Sequence, residues 1–205
     1  MKRVALFGFA AGAAMMMGGA LAAVSPFDPK PPADNNTEMM NPMIGGQAML
    51  PDRDIMENIA ASPMHFTLAA ALKDSGVAAA LKTNGQFTVF APTDAALAAQ
   101  GAQFTSSVAK SSLARRMSYL IVPGKYDSQA LLRVINESGG EAKLRTAEGG
   151  VLLARMNGPT NIVILDARGN IADIAIYDVR DKNGIIHVVD RALEPGGLAR
   201  QVASN

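Results

Sequence analysis

The sequence has 205 residues, of which 49% are hydrophobic, 18% charged and 5% aromatic, and its formal charge is +1. This length fits one ordinary domain with appendages, and the apolar fraction is high enough for a core, which excludes a wholly disordered chain. The absence of cysteine excludes a disulfide framework, a thiol nucleophile and a Cys-ligated zinc site. Two histidines, His65 and His187, are too few for a multi-histidine metal site. Without a basic block, the near-neutral composition predicts no nucleic-acid partner.

The first 22 residues have the pattern of a signal peptide. Lys2 and Arg3 give a basic start, residues 4–24 are uncharged and largely apolar, and Ala20-Leu21-Ala22 supplies the small residues that a signal peptidase requires. Their removal would change the formal charge from +1 to −1. A retained membrane anchor is the alternative, because about 20 apolar residues can span a bilayer. The pattern favours cleavage, and therefore an exported protein, periplasmic or secreted, with no stable membrane anchor.

Residues 23–51 are rich in proline and methionine and predict a flexible linker. Proline removes ladder donors and glycine costs backbone entropy, so we expect no regular element in this segment. Met39, Met40, Met43 and Met49 lie close together, and soft thioethers in an exported protein could hold Cu(I). The simpler interpretation is a weakly apolar spacer, since neither histidine nor cysteine lies nearby.

Helical patterns dominate the first half of the remaining chain. Ser62 followed by Pro63 has the form of an N-cap, apolar residues then recur at helical spacing, and Gly76 predicts the stop. We expect Thr93 or Asp94 to cap a helix that reaches Ala99. The remaining predicted helices cover residues 54–60, residues 77–81, a segment capped by Ser111 or Ser112 that reaches Tyr119, and a segment capped by Ser128 that includes Leu131, Leu132 and Ile135.

Strand patterns dominate the second half, after a first strand at residues 87–90. Glu148-Gly149-Gly150 lies between Lys143-Leu144-Arg145 and Val151-Leu152-Leu153 and predicts a hairpin. Further strands are expected at residues 161–165, 171–179 and 185–189, and the last has the apolar run of a strand covered on both faces. Early helices and late antiparallel strands predict an α+β domain at residues 52–195, followed by a flexible tail at residues 196–205.

Three segments resemble the fasciclin domain family. Residues 87–96 (FTVFAPTDAA) are similar to the first family signature, and residues 183–195 (NGIIHVVDRALEP) to the second. Residues 119–126 (YLIVPGKY) match the central segment between them. The resemblance implies a β-sandwich or wedge of about seven strands beside a layer of short helices. It also implies an exported, non-catalytic module for adhesion or for protein or matrix interaction at the bacterial envelope or outside the cell.

By resemblance, the interaction candidates are Tyr119, Leu120, Ile121, Val122, Pro123 and Tyr126. The family's central segment usually carries a Tyr-His pair, whereas Leu120 follows Tyr119 in this chain. An apolar side chain cannot replace an imidazole, which counts against an adhesive role of that pair. Arg168-Gly169-Asn170 also lacks the aspartate of an integrin-binding Arg-Gly-Asp tripeptide.

The signature residues also have structural explanations. Thr93 and Asp94 fit helix caps, Asn183-Gly184 fits a turn with positive φ, and His187 fits a buried, hydrogen-bonded core position. His65 is expected to be exposed or capping. Asp190, beside Arg191, is expected to form a local turn or ion pair.

No nucleophile elbow or phosphate-binding glycine loop occurs, and nothing singles out two acids among the eighteen, so the sequence does not favour an enzyme. The favoured function is an interaction module that binds through apolar surface and an exposed strand edge. The alternative is a carrier of an apolar, carotenoid-like molecule, for which the Ala-rich helices and Met residues would have to line a groove.

Overall fold

The computed structural model describes residues 41–83, 85–101, 104 and 108–196. The helices of this part are α1 (Ile55–Ala61), α2 (Phe66–Ser75), α3 (Val77–Leu81), α4 (Asp94–Ala99), α5 (Lys110–Tyr119) and α6 (Ser128–Glu137). The strands are β1 (Met43–Ile44), β2 (Gln47–Ala48), β3 (Phe87–Pro92), β4 (Ile121–Pro123), β5 (Glu141–Arg145), β6 (Val151–Asn157), β7 (Asn161–Leu165), β8 (Ile171–Asp181) and β9 (Gly184–Val189). Early helices and late strands confirm the predicted α+β class.

Seven strands form one sheet in the order β4-β3-β9-β8-β7-β6-β5. All neighbours are antiparallel except β3 and β9, which run parallel. The two ends of the sheet approach each other, because the amide of Ala147, just after β5, donates to the carbonyl of Ile121 in β4 at 2.7 Å. The sheet is therefore nearly closed, as the resemblance implied for a wedge of about seven strands.

Burial follows strand position. In β5 the side chains alternate, with Ala142 and Leu144 buried and their neighbours exposed, as expected for a strand with one face on the core. In β9 all six residues are buried, which confirms the prediction of a strand covered on both faces. Leu68 and Leu72 of α2 lie in the same core, so helices and sheet share one apolar interior.

The helix ends show where local patterns were sufficient and where they were not. Asp54 caps α1 with a reciprocal capping box to Glu57, and Gly76 ends α2 at a φ of 80°. The predicted cap at Ser62 is wrong, because α2 begins only at Phe66. The predicted caps in α5 and α6 are also wrong, since the serines lie inside these helices. Ala109 precedes α5 without a side-chain bond, and Asp127 caps α6.

The predicted linker is wrong over residues 41–51. Strands β1 and β2 form a small antiparallel hairpin, and the side chains of Ile44 and Met49 are buried in the core. The Asn41 side chain exchanges two hydrogen bonds with the backbone of Arg180, at 2.5 and 2.8 Å. Two apolar anchors and a backbone clamp thus tie this segment to the domain despite its glycines and prolines.

Several predictions lie outside the described residues. These are the signal peptide, the linker up to residue 40, the copper-site candidates Met39 and Met40, and residues 197–205 of the tail. Within the described part, no helix is long and apolar enough to cross a membrane. Met49 is buried in the core and Met43 is exposed, so these two methionines have different surroundings.

Candidate interaction surface

The first signature connects two helices. Thr93 accepts a hydrogen bond from the amide of Ala96 at 3.2 Å and so caps α4. The carboxylate of Asp94 caps a different helix, because it accepts from the amides of Phe66 at 3.0 Å and Thr67 at 2.8 Å at the start of α2. Negative charge at this position also stabilises the helix dipole. The signature therefore fixes α2 against α4.

The second signature begins with two residues that have different tasks. The Asn183 side chain accepts from the amide of Ile55 at 2.9 Å and donates to the carbonyl of Leu81 at 2.6 Å, which joins the helix layer to the β8–β9 turn. The prediction of positive φ at Asn183-Gly184 is wrong. Gly184 is required for another reason, since a Cβ there would lie 1.9 Å from the carbonyl oxygen of Phe87.

His187 is fully buried and has partners for both ring nitrogens. The amide of Asp178 donates to Nδ1 at 3.3 Å, so the proton lies on Nε2, which donates to the Tyr126 carbonyl at 2.8 Å. The ring stacks on Phe90 with centroids 5.7 Å apart. Burial lowers the pKa of His187, which keeps it neutral. These contacts give His187 a structural position in the core.

Asp178, the other partner in this network, has an unusual backbone. It has a φ of 58°, a left-handed value, and lies where β8 shifts register against β9. Its carboxylate accepts from both the amide and the hydroxyl of Ser128, at 2.7 and 2.5 Å. The register shift in β8 therefore places the Asp178 carboxylate where it bonds Ser128, the first residue of α6.

The predictions for His65 and Asp190 also need correction. His65 is buried, not exposed, and its Nδ1 lies 2.7 Å from the Ser62 hydroxyl, while no side-chain cap bond is formed. Burial lowers the pKa of His65. Asp190 accepts from the amide of Asp173 at 2.8 Å, so its carboxylate extends the β8–β9 ladder across strands.

The interaction segment taken from the resemblance is mostly interior. Tyr119, Leu120, Ile121 and Val122 are buried, whereas Pro123 is exposed and Tyr126 half-buried. The Tyr119 hydroxyl donates to the carbonyl of Val151 at 2.8 Å and accepts from the amide of Ala167 at 2.9 Å. Burial raises the pKa of Tyr119 to about 12. Only Pro123 and Tyr126 of the six candidates are therefore available to a partner in this conformation.

Neither edge strand of the sheet, β4 or β5, has the properties expected of an exposed edge that binds a partner. The β4 edge is bonded at Ile121 by the Ala147 amide. The β5 edge exposes Glu141, Lys143 and Arg145, and charged side chains on an edge oppose pairing with another strand. Binding by strand addition is therefore disfavoured at both edges.

The two most exposed large apolar side chains of the described residues lie in β1 and at the start of α2. Phe66 is 65% exposed, Met43 62% and Met64 36%. The hairpin turn packs against Met64, because a Cβ on Gly45 would lie 2.9 Å from the Met64 Cγ. We call Met43, Met64 and Phe66 the hairpin patch. Aromatic and methionine side chains are enriched in protein interfaces, and solitary exposed ones are less informative than such a group.

Sequence reasoning missed this patch, although α2 contained a signal. Leu68 and Leu72 are four residues apart and define the buried face of the helix. Phe66 precedes Leu68 by two residues, which places it on the opposite face. A phenylalanine on the outer face of an amphipathic helix is a recognisable candidate for binding.

A cleft of about 540 Å³ lies near the β8–β9 turn. Its lining includes Asp54, Lys82, Thr83, Gln86 and Lys182. This cleft is polar and does not provide the apolar lining that a carotenoid-like ligand requires. In the Ala-rich helix α2, Ala69 and Ala71 are buried in the core and are not available to line a groove.

Comparisons with known proteins agree with this fold. A family model described as Fasciclin domain matches residues 63–195. The chain is 32% identical over 145 residues to "Protein sll1483" of Synechocystis sp., covering 69% of this chain and 73% of the relative. It is 30% identical over 144 residues to "Uncharacterized protein sll1735" of the same organism, covering 67% and 96%.

Among solved structures, the chain is similar to the FAS1 domain pair of the insect cell adhesion molecule Fasciclin I. The TM-score is 0.60 at 21% identity, covering 70% of this chain and 51% of the other, so this chain spans about half of that structure. The chain belongs to the fasciclin domain family. Fasciclin domains are associated with adhesion or protein interaction, are typically extracellular and are generally non-catalytic.

Proposed function

We propose that the protein is an exported, non-catalytic fasciclin module that binds a protein partner at the bacterial envelope or outside the cell. The hairpin patch is the observation that carries this proposal. Its phenylalanine and two methionines are exposed, the hairpin turn lies against Met64, and such side chains are enriched in protein interfaces. Pro123 and Tyr126 are secondary candidates for contact.

Export is supported by the first 22 residues, with their basic start, apolar stretch and small residues before position 23. The mass of the protein purified from the envelope fraction of its host tests this part. Cleavage after Ala22 gives a chain that begins at Ala23. A full-length mass in that fraction would contradict the proposed processing.

Binding through the hairpin patch can be tested by site-specific photo-cross-linking in the native host. We expect a photoreactive amino acid at position 66 to give a discrete protein adduct, which the additional Met43→Ser substitution weakens. The matched control is the same amino acid at Leu132, an exposed apolar position on α6. Equal adducts at the two positions, or none at position 66, would refute the proposed surface.

A further inference from the structure

The outer face of strands β5 to β8 has an apolar stripe that the proposed function does not use. Strand register places Lys143, Leu153, Leu165 and Ile171 in one row across the four strands. The residues between them, such as Leu144 and Leu152, are buried and face the core. Because side chains alternate between faces, the row lies on the outside of the sheet.

The stripe is extended by a second row nearer the β5–β6 turn, in which Arg145 pairs with Val151. Val151 is 37% exposed and Ile171 42%, while Leu153 and Leu165 are half-buried. Adjacent strands are about 4.8 Å apart, so the aliphatic side chains of β6, β7 and β8 cover roughly 10 Å across the sheet. This group contains neither aromatic residues nor methionine.

The charges on this face are separated. Lys143 and Arg145 are exposed beside the stripe, and within the described residues neither forms an ion pair. The acid at the nearby turn, Glu148, is neutralised by Arg115 at 2.6 Å. Glu141 and Asp173 lie in a row farther from this turn, together with Arg155. The end of the face near the turn is therefore apolar and cationic.

We propose that this end of the outer face, formed by Lys143, Arg145, Val151, Leu153, Leu165 and Ile171, docks reversibly on an anionic lipid surface. Lysine and arginine can keep their charges at lipid headgroups while their stems lie along apolar surface. The outside of a nearly closed sheet is convex and offers no groove for a peptide, whereas a bilayer adapts to it. This surface is separate in sequence from the hairpin patch.

The test uses protein purified from its host and co-sedimentation with vesicles of phosphatidylcholine containing phosphatidylglycerol. A cation near an anionic surface contributes about a factor of five to binding, so Lys143→Glu with Arg145→Glu should weaken it by at least roughly 25-fold. Val151→Ser with Ile171→Ser should also weaken it. The control, Lys73→Glu with Arg133→Glu, changes two exposed cations on helices α2 and α6 and should have little effect.

All variants share the same N-terminus, so any vesicle binding by residues 4–24 contributes equally to each. Unfolding curves for every variant show whether the fold is retained. Equal binding of the face variants and the control would overturn the proposal. Binding of polyglutamate through Lys143 and Arg145, without a face-dependent vesicle interaction, would also overturn it in favour of an acidic protein partner. Weaker vesicle binding of both face variants at retained stability is the expected result.

Discussion

Gly184 shows how one residue of a family signature can be required for space and not for backbone conformation. It opens β9 directly beside Phe87, the first residue of β3, with which it pairs in parallel. A Cβ at this position would lie 1.9 Å from the Phe87 carbonyl oxygen and 2.9 Å from the Ile55 Cδ1. Any side chain would therefore separate the central strand pair or displace helix α1.

We expect Gly184→Ala to lower the free energy of unfolding by about 3 kcal/mol or more, because the neighbouring atom belongs to the backbone and cannot turn away. Gly158→Ala is the control, since Gly158 has a φ of 80° but nothing within 4 Å of the added Cβ. It should cost only about 1–2 kcal/mol from its backbone conformation. Urea denaturation measures the free energy of unfolding of both variants. Equal losses would show that the close approach of the Phe87 carbonyl is not what requires glycine at position 184.

At the level of elements, the N-terminal hairpin is part of the domain and not of a linker. Met43 and Ile44 are adjacent in β1, but Met43 is exposed and Ile44 lies in the core. In a flexible spacer the two side chains would be equally exposed, so their difference in burial distinguishes a docked hairpin from a linker. Ile44 belongs to the fold, whereas Met43 belongs to the hairpin patch.

We therefore predict that Ile44→Ala lowers the free energy of unfolding by about 2–5 kcal/mol, through lost burial and the cavity that remains. Met43→Ala should change it by no more than about 0.5 kcal/mol, as for other surface substitutions. Chemical denaturation of the two variants provides the comparison. If both proved neutral, the hairpin would not be docked as described.

Much of the fold could be predicted because the relevant patterns are local. The apolar run of β9 and the end of α2 at Gly76 each depend on residues that are neighbours in the sequence. The cap at α2 could not be found in this way, since its acceptor is Asp94, 28 residues after Phe66. The hairpin was missed because proline and glycine suppress local propensity, and the compensating contacts of Asn41, Ile44 and Met49 are tertiary. The hairpin patch likewise depends on chain segments that meet in three dimensions.

For the whole molecule, one buried carboxyl group links stability to pH. Asp181, the last residue of β8, accepts from the Asn58 amide at 2.5 Å, and Asn58 also bonds the backbone of Leu50 after the hairpin. Its second oxygen, Oδ2, has no hydrogen-bond partner in the described part of the chain. Burial raises the pKa of Asp181 from 3.8 to about 7. The folded state therefore retains a proton that the unfolded chain releases.

Between these two pKa values the folded protein binds more protons than the unfolded chain, so the free energy of unfolding falls as pH rises. We expect Asp181 to contribute a loss on the order of 2–4 kcal/mol between about pH 4 and pH 8. His187 acts in the other direction, because its lowered pKa costs stability as pH falls below 6.5. Asp181→Asn isolates the first effect.

Urea denaturation across this pH range is the measurement. Asp181→Asn keeps the acceptor for Asn58 and should remove most of the loss at high pH. Asp74→Asn, at an exposed carboxylate on α2, is the matched control and should leave the wild-type profile unchanged. A wild-type slope that persists in Asp181→Asn would show that another group titrates.

The parallel pairing of β3 with β9 has a consequence for the order in which the chain acquires its structure. Phe87 and Gly184 are neighbours in space but 97 residues apart in sequence. During synthesis, the helical half emerges long before the strand that completes its support, and pairing over such a separation is intrinsically slow. The pairing of β3 with β9, which joins β4 and β3 to the other five strands of the sheet, therefore cannot form before residues 184–189 have been synthesised.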